Sequence, residues 1–474
     1  MSPKKHSKIL FAYLIPFCVG AIICCIPRPE TLDNQAWSLL ALFVSTIVAL
    51  ITKPLPMGGI ALVSLAIATA CKILPMNEAL SGFSSCVTWL ILFVFCIARA
   101  MIKAHLSTRA AYLLISVFGG HTLTLSYVLT FTELLICPVI PSAAARAGGM
   151  IYPVLLSITD NCGANKDTQG YKSFGGFLAY NAYHTNYITS AMFLTAMAAN
   201  LMIQQIALDQ GIEITWAAWA KAAILPGFVS LLVVPYISYI FMKPKITAIP
   251  NAKALAKKHL QDLGKMQHQE YIVLIVFGLM LFLWIFGDNF GINPTVTALL
   301  GLVLLLVSQI ITTSDILHES EAWHNFLWLS VLMALSQAMQ KYKIIAWFSA
   351  ILSSHIGHFS AYHGLIILTL VYFYSHYFFA SMTSHISAMY STCLALAVML
   401  GAPPLFSALL LAFASNLFAT LTHYGSTGAV IFFGSNFISI KRWWGVGLII
   451  SFVHIIIWGG LGVAWWKMIG LIPT

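Results

Sequence analysis

The chain has 474 residues, of which 60% are hydrophobic and only 8% charged, with a formal charge of +10. A soluble domain carries about a quarter charged residues, so this composition excludes one and predicts an all-α polytopic membrane protein. The Lys and Arg residues sit in short loops between apolar runs, the positive-inside pattern, which argues against a nucleic-acid partner.

Lys4, Lys5 and Lys8 precede the first apolar run, residues 9–26, and are expected to hold the N-terminus in the cytoplasm. Charged residues follow that run, so it reads as a span and not as a cleavable signal peptide. Further spans are predicted at 36–51, 58–73 and 87–102, the last meeting Lys103 and Arg109. Residues 109–130 read as an interfacial arm. Residues 131–153, FTELLICPVIPSAAARAGGMIYP, cannot form an ordinary membrane helix. Pro138 and Pro141 remove helix donors. Arg146 inside a bilayer costs several kcal/mol unless it faces protein, water or a charged ligand. Irregular backbone at that depth survives only when buried in protein or lining a cavity. The stretch is therefore expected to be a re-entrant hairpin, residues 133–158, with its tip from Pro141 to Arg146. Residues 173–208 are too long for one span and predict a discontinuous helix, interrupted between His184 and Ser190. A span at 216–242 returns to the cytoplasm.

The basic connector, residues 243–270, places Lys253, Lys257 and Lys258 around Leu255 and Leu260 at helical spacing, which predicts an amphipathic helix on an anionic leaflet. The second half repeats the plan. Spans are expected at 271–286, 294–311 and 326–339, then an arm at 344–370. A second hairpin, residues 372–400, carries the polar run Ser381-Met382-Thr383-Ser384-His385. A broken helix at 404–433 and a last span at 444–466 complete the chain. That gives eleven spans and two hairpins, with the C-terminus opposite the N-terminus; Lys341 and Lys343 would face outward. Trp89 precedes Ser142 by the same interval that separates Trp328 from Ser381, and both pairs differ by 239 positions. Such an echo suggests a duplicated unit. Paired interrupted segments in two halves are a sequence pointer to a transporter's binding site.

No catalytic constellation stands out, and no enzyme activity is expected. The 15 histidines are dispersed; His355 and His358 have helical spacing but no carboxylate or cysteine beside them. The nine cysteines form no CxxC pair. A channel would need a continuous polar stripe, whereas polarity here gathers at the two broken sites. The hairpin tips suit an anion. Ser142, Ser381, Thr383 and Ser384 offer hydroxyls, and helix N-termini add backbone N–H groups and a positive dipole end. Arg146 can fork onto a carboxylate or pair with Glu133. Ser142 and Thr383 also fit close helix packing. Asn200 and Asn416, in the echoing runs Ala199-Asn200-Leu201 and Ser415-Asn416-Leu417, read either as supports of a site or as interhelical hydrogen bonds. His385 reads as a ligand contact or a cap. Two carboxylate-binding tips fit a short dicarboxylate.

Several motifs together resemble the divalent anion/sodium symporter family, most of all its plastid-type 2-oxoglutarate/malate translocator branch. They are Pro141-Ser142 with Ala145-Arg146-Ala147-Gly148-Gly149, Phe193-Leu194-Thr195-Ala196, Ala380-Ser381 with Thr383, and Asn416-Leu417-Phe418 with Thr422-His423-Tyr424. The resemblance spans nearly the whole chain. It implies an elevator-type transporter that exchanges dicarboxylates, with sodium-coupled symport as the alternative. It implies a homodimer in a bacterial inner membrane or a plastid-type inner envelope. Each protomer would hold a scaffold (1–85, 209–315), a transport domain in two repeats (86–208, 316–440) and a last helix (441–474). Carry-over places substrate contacts at Ser142, Ser381 and Thr383, and near Thr189-Ser190 and Ser426-Thr427. The family's hairpin asparagines are absent here, where Ala143 and Met382 stand. That puts the usual sodium cage in doubt and leaves room for a sodium ion only near Ser142 and Thr383.

Overall fold

The computed structural model describes residues 3–161, 169–347, 351, 360–379 and 381–472. His355 and His358 lie outside the described residues. Among the described residues the regular structure is helical apart from one isolated bridge, His121 to Ala248.

The first helices are α1 (Pro3–Cys25), α2 (Asn34–Thr52), α3 (Met57–Ala70), α4 (Met76–Ala79) and α5 (Cys86–Lys103). Asp33 starts α2 by accepting from the Ala36 amide at 2.6 Å, and Lys53 ends it in the left-handed region at φ 51°. The predicted interfacial arm is two helices, α6 (Leu106–Phe118) and α7 (Thr122–Ile136). They part at Gly119, where a Cβ would come within 2.5 Å of the Ile115 carbonyl oxygen. Thus the first hairpin descends along the whole of α7, from further upstream than its polar residues suggest. Its ascending limb is continuous: α8 (Ala143–Arg146), a π turn (Ala147–Ile151) and α9 (Tyr152–Asp160).

Next come α10 (Gln169–Met192), α11 (Ala198–Asp209) and α12 (Trp216–Met242). Here the structure corrects the expectation from sequence. The run His184 to Ser190 lies inside unbroken α10, and the interruption comes later, at Phe193 to Met197. The reason is local. Thr189 Oγ1 donates to the Thr185 and Asn186 carbonyls at 3.0 Å, and Ser190 Oγ donates to Asn186 O at 2.7 Å. Hydroxyls that bond back into their own helix do not open it. Phe193 and Met197 are the residues that adopt extended backbone.

The predicted connector helix is present as α13 (Pro250–Leu263). Its covered residues are Ala252 and Ala256, and it packs on α6, with His259 stacked on Tyr112 at 4.5 Å. Arg109 closes the connector by donating to both Glu270 oxygens, at 2.6 and 3.1 Å, and to the Gly264 carbonyl at 2.8 Å. Then follow α14 (His268–Phe286), α15 (Pro294–Val307), α16 (Thr313–His318) and α17 (Ser320–Lys341). Lys103 and the Thr312 amide bind the Asp315 carboxylate and hold it well below the usual carboxylate range. Lys341, which the span count sent outward, pairs with Glu78 at 2.7 Å. The second hairpin is α18 (Ala361–Ser375) and α19 (Met382–Met399). The chain ends with α20 (Pro404–Leu417), a 3-10 turn (Phe418–Leu421), α21 (Thr427–Phe433), α22 (Ile440–Ile456), a π turn (Ile457–Gly462) and α23 (Val463–Met468).

Two compact units result. The first comprises Met1–Leu92, Leu201–Ile214 and Ser320–Leu411; the second comprises Phe93–Asn200, Thr215–Glu319 and Ala412–Thr474. In each, polarity is arranged for lipid rather than water. Leu62, Val63 and Ile67 of α3 face outward, whereas its Ser64 is buried and meets Thr46 of α2 at 2.8 Å. In α15, Leu299, Leu300, Val303, Leu304 and Val307 are exposed and Thr297 is buried. Without water to satisfy them, polar groups turn inward. Among the described residues, seven helices are long and apolar enough to cross a membrane. The second unit's core is α10, whose residues from Phe174 to Met192 are all buried.

Candidate functional site

In the second unit, the site grows from the tip between α7 and α8. Pro138 and Pro141 keep the chain from continuing as helix, so the tip carbonyls need partners. They find them on the α10 to α11 interruption and on Arg146. Thr195 Oγ1 donates to Pro138 O at 2.6 Å, and the Ala198 amide donates to Pro141 O at 3.1 Å. Arg146 Nη1 donates to Ile140 O and, at 2.6 Å, to Ala196 O. Its Nη2 donates to Ser190 Oγ at 2.6 Å and its Nε to Glu133 Oε1 at 2.7 Å. Arg146 has no exposed surface, and Glu133 is 1% exposed. Asn186 Nδ2 donates to the same Glu133 oxygen at 2.7 Å. Of the two roles the sequence offers Arg146, the structure displays the pairing with Glu133. The guanidinium ties hairpin tip to interruption. Among the described residues, Glu133 Oε2 and Asn186 Oδ1, both buried, find no hydrogen-bond partner.

The second interruption, in the chain between α20 and α21, is held by tyrosines of α10. Tyr183 Oη donates to the Ala419 carbonyl and reaches Thr422 O at 3.3 Å. Tyr187 Oη lies where a Cβ on Gly428 would approach to 3.1 Å. Ser426 caps α21, its Oγ accepting from the Ala429 amide at 3.2 Å, and Thr427 is the exposed first residue of that helix. The two interruptions are joined by asparagines. Asn200 Nδ2 donates to Ser190 O at 2.8 Å and Phe193 O at 3.1 Å, and its Oδ1 accepts from Asn416 Nδ2 at 2.8 Å. Ser142, Arg146, Ser190, Asn200, Asn416 and Ser426 therefore belong to one continuous assembly, as does Thr189 through its bond to Asn186. Glu133, Asn186, Thr195, Tyr183 and Tyr187 complete it. The i, i+4 repeat of Tyr183 and Tyr187 was the available signal for the last two.

In the first unit, Ser381 caps α19 by accepting from the Ser384 amide at 3.4 Å. Thr383 is half-buried in the first turn, and its carbonyl accepts from Ser387 Oγ at 2.8 Å. Ser384 Oγ donates to Leu50 O at 3.3 Å. His385 is buried; its Nε2 meets Ser375 Oγ at 2.9 Å and its ring stacks on Tyr372 at 4.7 Å.

The two hairpins match element by element. Adding 239 to the bounds of α7 gives those of α18, and adding it to the limb from Ala143 to Asp160 gives α19. The same shift carries Ser142 onto Ser381. Ser142 has φ −120° and its Oγ accepts from the Ala145 amide at 3.1 Å. Each hairpin thus turns at a buried serine that caps an 18-residue limb. A serine oxygen satisfies one of the first-turn amides, and the remainder present a partial positive charge.

The family profile described as the sodium:sulfate symporter transmembrane region matches residues 7–472. The chain belongs to this family of membrane transporters. It is 42% identical over 461 residues to dicarboxylate transporter 1 of Arabidopsis thaliana chloroplasts, covering 97% of this chain and 83% of that one. It is 45% identical over 469 residues to YflS of Bacillus subtilis, described as a candidate malate transporter, covering 99% of this chain and 98% of that one. A crystal structure of the Alcanivorax borkumensis YdaH transporter, described as having an unusual topology, shares the fold. Its TM-score is 0.56 at 12% identity, over 98% of both chains. The chain is a multi-pass membrane transporter and not an enzyme.

Proposed function

We propose that this family member carries C4 and C5 dicarboxylates, exchanging 2-oxoglutarate for malate. The observation that carries the reading is the serine-capped limb that each hairpin presents, at Ser142 and at Ser381, each suited to a carboxylate. The substrate contacts we propose are Ser142, Thr189, Ser190, Ser426 and Thr427 in the second unit, and Ser381, Thr383, Ser384 and His385 in the first. Arg146 works from behind the tip, with Asn200 and Asn416 bracing the interruptions. The names of the chloroplast and Bacillus relatives favour the same substrate class. Movement is of the elevator type in a homodimer, with the N-terminus on the cytoplasmic side of a bacterial inner membrane or its plastid-envelope counterpart.

Exchange comes first because Ala143 and Met382 provide no side-chain oxygen beside the capping serines. Sodium symport is the second reading, and one observation favours it. Glu133 already neutralises Arg146, so the tip keeps no fixed positive charge for the substrate, while Glu133 Oε2 and Asn186 Oδ1 remain as hard acceptors. Labelled 2-oxoglutarate uptake into proteoliposomes separates them. Exchange predicts uptake into malate-loaded vesicles alone, in sodium or choline buffer alike. Uptake into empty vesicles driven by an inward sodium gradient would establish symport.

A further inference from the structure

A basic cavity lies in the second unit, away from the hairpin tip. A cavity of about 410 Å³ opens where α12 ends and α22 begins. Four cationic side chains line it: Lys172, Lys243, Lys245 and Arg442, with Ser173 and Ser439 between them. Among the described residues no acidic side chain lines it, and none of the four joins an ion pair. Their described partners are neutral. Lys245 Nζ donates to Gln169 Oε1 at 2.7 Å, and its amide donates to Ser173 Oγ at 3.0 Å. Arg442 Nη2 donates to the carbonyls of Met242 at 2.7 Å and Phe241 at 3.2 Å. These bonds place Lys245 and Arg442, and no described residue supplies the four cations with a counter-charge. Like charges this close repel one another, so the arrangement gains from an anion between them.

The surroundings say what kind of anion. Above the cavity, α12 turns Leu232, Tyr236 and Ile240 outward at intervals of four, with Phe241 beside them. On α22, Leu448, Phe452 and Ile456 face outward at the same interval. The two helices pack on each other, and each carries its apolar stripe away from the one basic cavity. The cavity itself lies at the C-terminal end of α12 and the N-terminal end of α22, past both stripes. Ser439, ahead of α22, makes no side-chain cap, so that helix's first amides also face this end.

We propose that this cavity holds the phosphodiester headgroup of an anionic glycerophospholipid, with the acyl chains along the α12 and α22 stripes. It would pin the connector, which leaves α12 at Lys243, to the leaflet surface. Each Lys near a headgroup surface is worth about a factor of five in affinity. The shared chemistry with free phosphate is the anionic oxygen; the stripes select the lipid.

Native mass spectrometry of the detergent-purified full chain tests this, titrated separately with dioleoyl phosphatidylglycerol, dioleoyl phosphatidylcholine and inorganic phosphate. The wild type should bind phosphatidylglycerol well ahead of phosphatidylcholine, and millimolar phosphate should not displace it. Lys172→Gln alone, at an exposed position, should weaken binding roughly fivefold, and Lys172→Gln/Lys243→Gln/Lys245→Gln on the order of a hundredfold. Lys221→Gln, near the opposite end of α12, should leave it unchanged. Equal binding of both lipids, or undiminished binding by Lys172→Gln and the triple variant, would overturn the proposal. Phosphate that competes at millimolar concentration would assign the cavity to a free phosphate and remove the lipid.

Discussion

Asn416 donates a hydrogen bond to Asn200 across 2.8 Å, joining the matching residues of the two echoing sequence runs. Both are fully buried. Asn200 stands just after the first interruption and holds the carbonyls of Ser190 and Phe193 that the interruption releases. Asn416 stands just before the second and donates also to Ala412 O at 3.1 Å. One amide pair therefore fixes the position of one broken helix against the other. Interhelical hydrogen bonding, one of the two sequence readings for these residues, is what the geometry displays.

Asn200→Ala should destabilise the protein by about 1–3 kcal/mol, because it takes the donor from the buried Ser190 carbonyl, leaves Phe193 O with the Ala196 amide, and removes the acceptor of Asn416. Asn416→Ala should cost less, since it strands only the Ala412 carbonyl and one Asn200 oxygen. Their double-mutant cycle should give a coupling of about 0.6 kcal/mol, typical of hydrogen bonds within membranes. Unfolding of the four proteins in detergent measures it. A coupling of zero would mean that the pair is not maintained.

Arg146 and Glu133 form a buried pair whose loss should be costly from either side. Glu133→Gln leaves a buried guanidinium without its counter-charge, and Arg146→Ala leaves a buried carboxylate with only the Asn186 amide; each should cost about 3–5 kcal/mol. Arg146→Lys retains the charge yet cannot reach Glu133, Ile140 O, Ala196 O and Ser190 Oγ together, because an ammonium lacks the planar fork. It should therefore lower thermal stability as well as uptake. If Arg146 instead clamps substrate, Arg146→Lys would keep its melting temperature and lose only substrate affinity. Thermal unfolding alongside uptake decides between them.

What is legible in the sequence depends on where each residue finds its partners. Pro138, Pro141 and Arg146 cannot sit in a plain bilayer helix, so the first hairpin follows from their chemistry alone. The shift of 239 locates the second, and the structure repeats it at both helix bounds and at the capping serines. The interruption after α10 is harder to place, because polar side chains do not mark it. Thr189 and Ser190 satisfy themselves within the helix, whereas the true break, at Phe193 to Met197, is mostly apolar. Its stability comes from Thr195 and Arg146, which lie far apart in sequence. Long-range partners of this kind leave no local pattern. The same holds for Asn186, whose bond to Glu133 nothing in the spacing announces.

Two glycines, one in each unit, should respond to alanine in opposite directions. A Cβ on Gly82 would lie 1.9 Å from the Ser330 carbonyl oxygen, a backbone atom of α17 that cannot swing aside. Gly82→Ala should therefore abolish the folded protein. Gly445 is exposed within α22, and a Cβ there would meet no atom within 4 Å. Gly445→Ala should stabilise by about 0.5–1 kcal/mol through helix propensity. Size-exclusion profiles and melting temperatures of the two variants check both outcomes.

The capping serines allow stability and transport to be separated. Ser142 and Ser381 each accept from an amide three residues on, and each begins a limb whose dipole favours negative charge. Aspartate is as good an N-cap as serine. Ser142→Asp and Ser381→Asp should consequently keep the melting temperature near that of the wild type, whereas Ser142→Ala should lose about 1 kcal/mol. For transport the order reverses. An added carboxylate stands where a substrate carboxylate is proposed to dock, and at about 4 Å two like charges near a protein surface repel by several kcal/mol. Uptake of 2-oxoglutarate by either Asp variant should fall by more than tenfold, while Ser142→Ala, which removes one hydroxyl and adds no charge, should retain more of it. The equivalence of the hairpins adds a further condition: the two Asp variants should behave alike. A loss confined to Ser142→Asp would assign the substrate to the first tip alone. Full uptake by both, with intact folding, would remove the serine-capped limbs from the substrate site altogether.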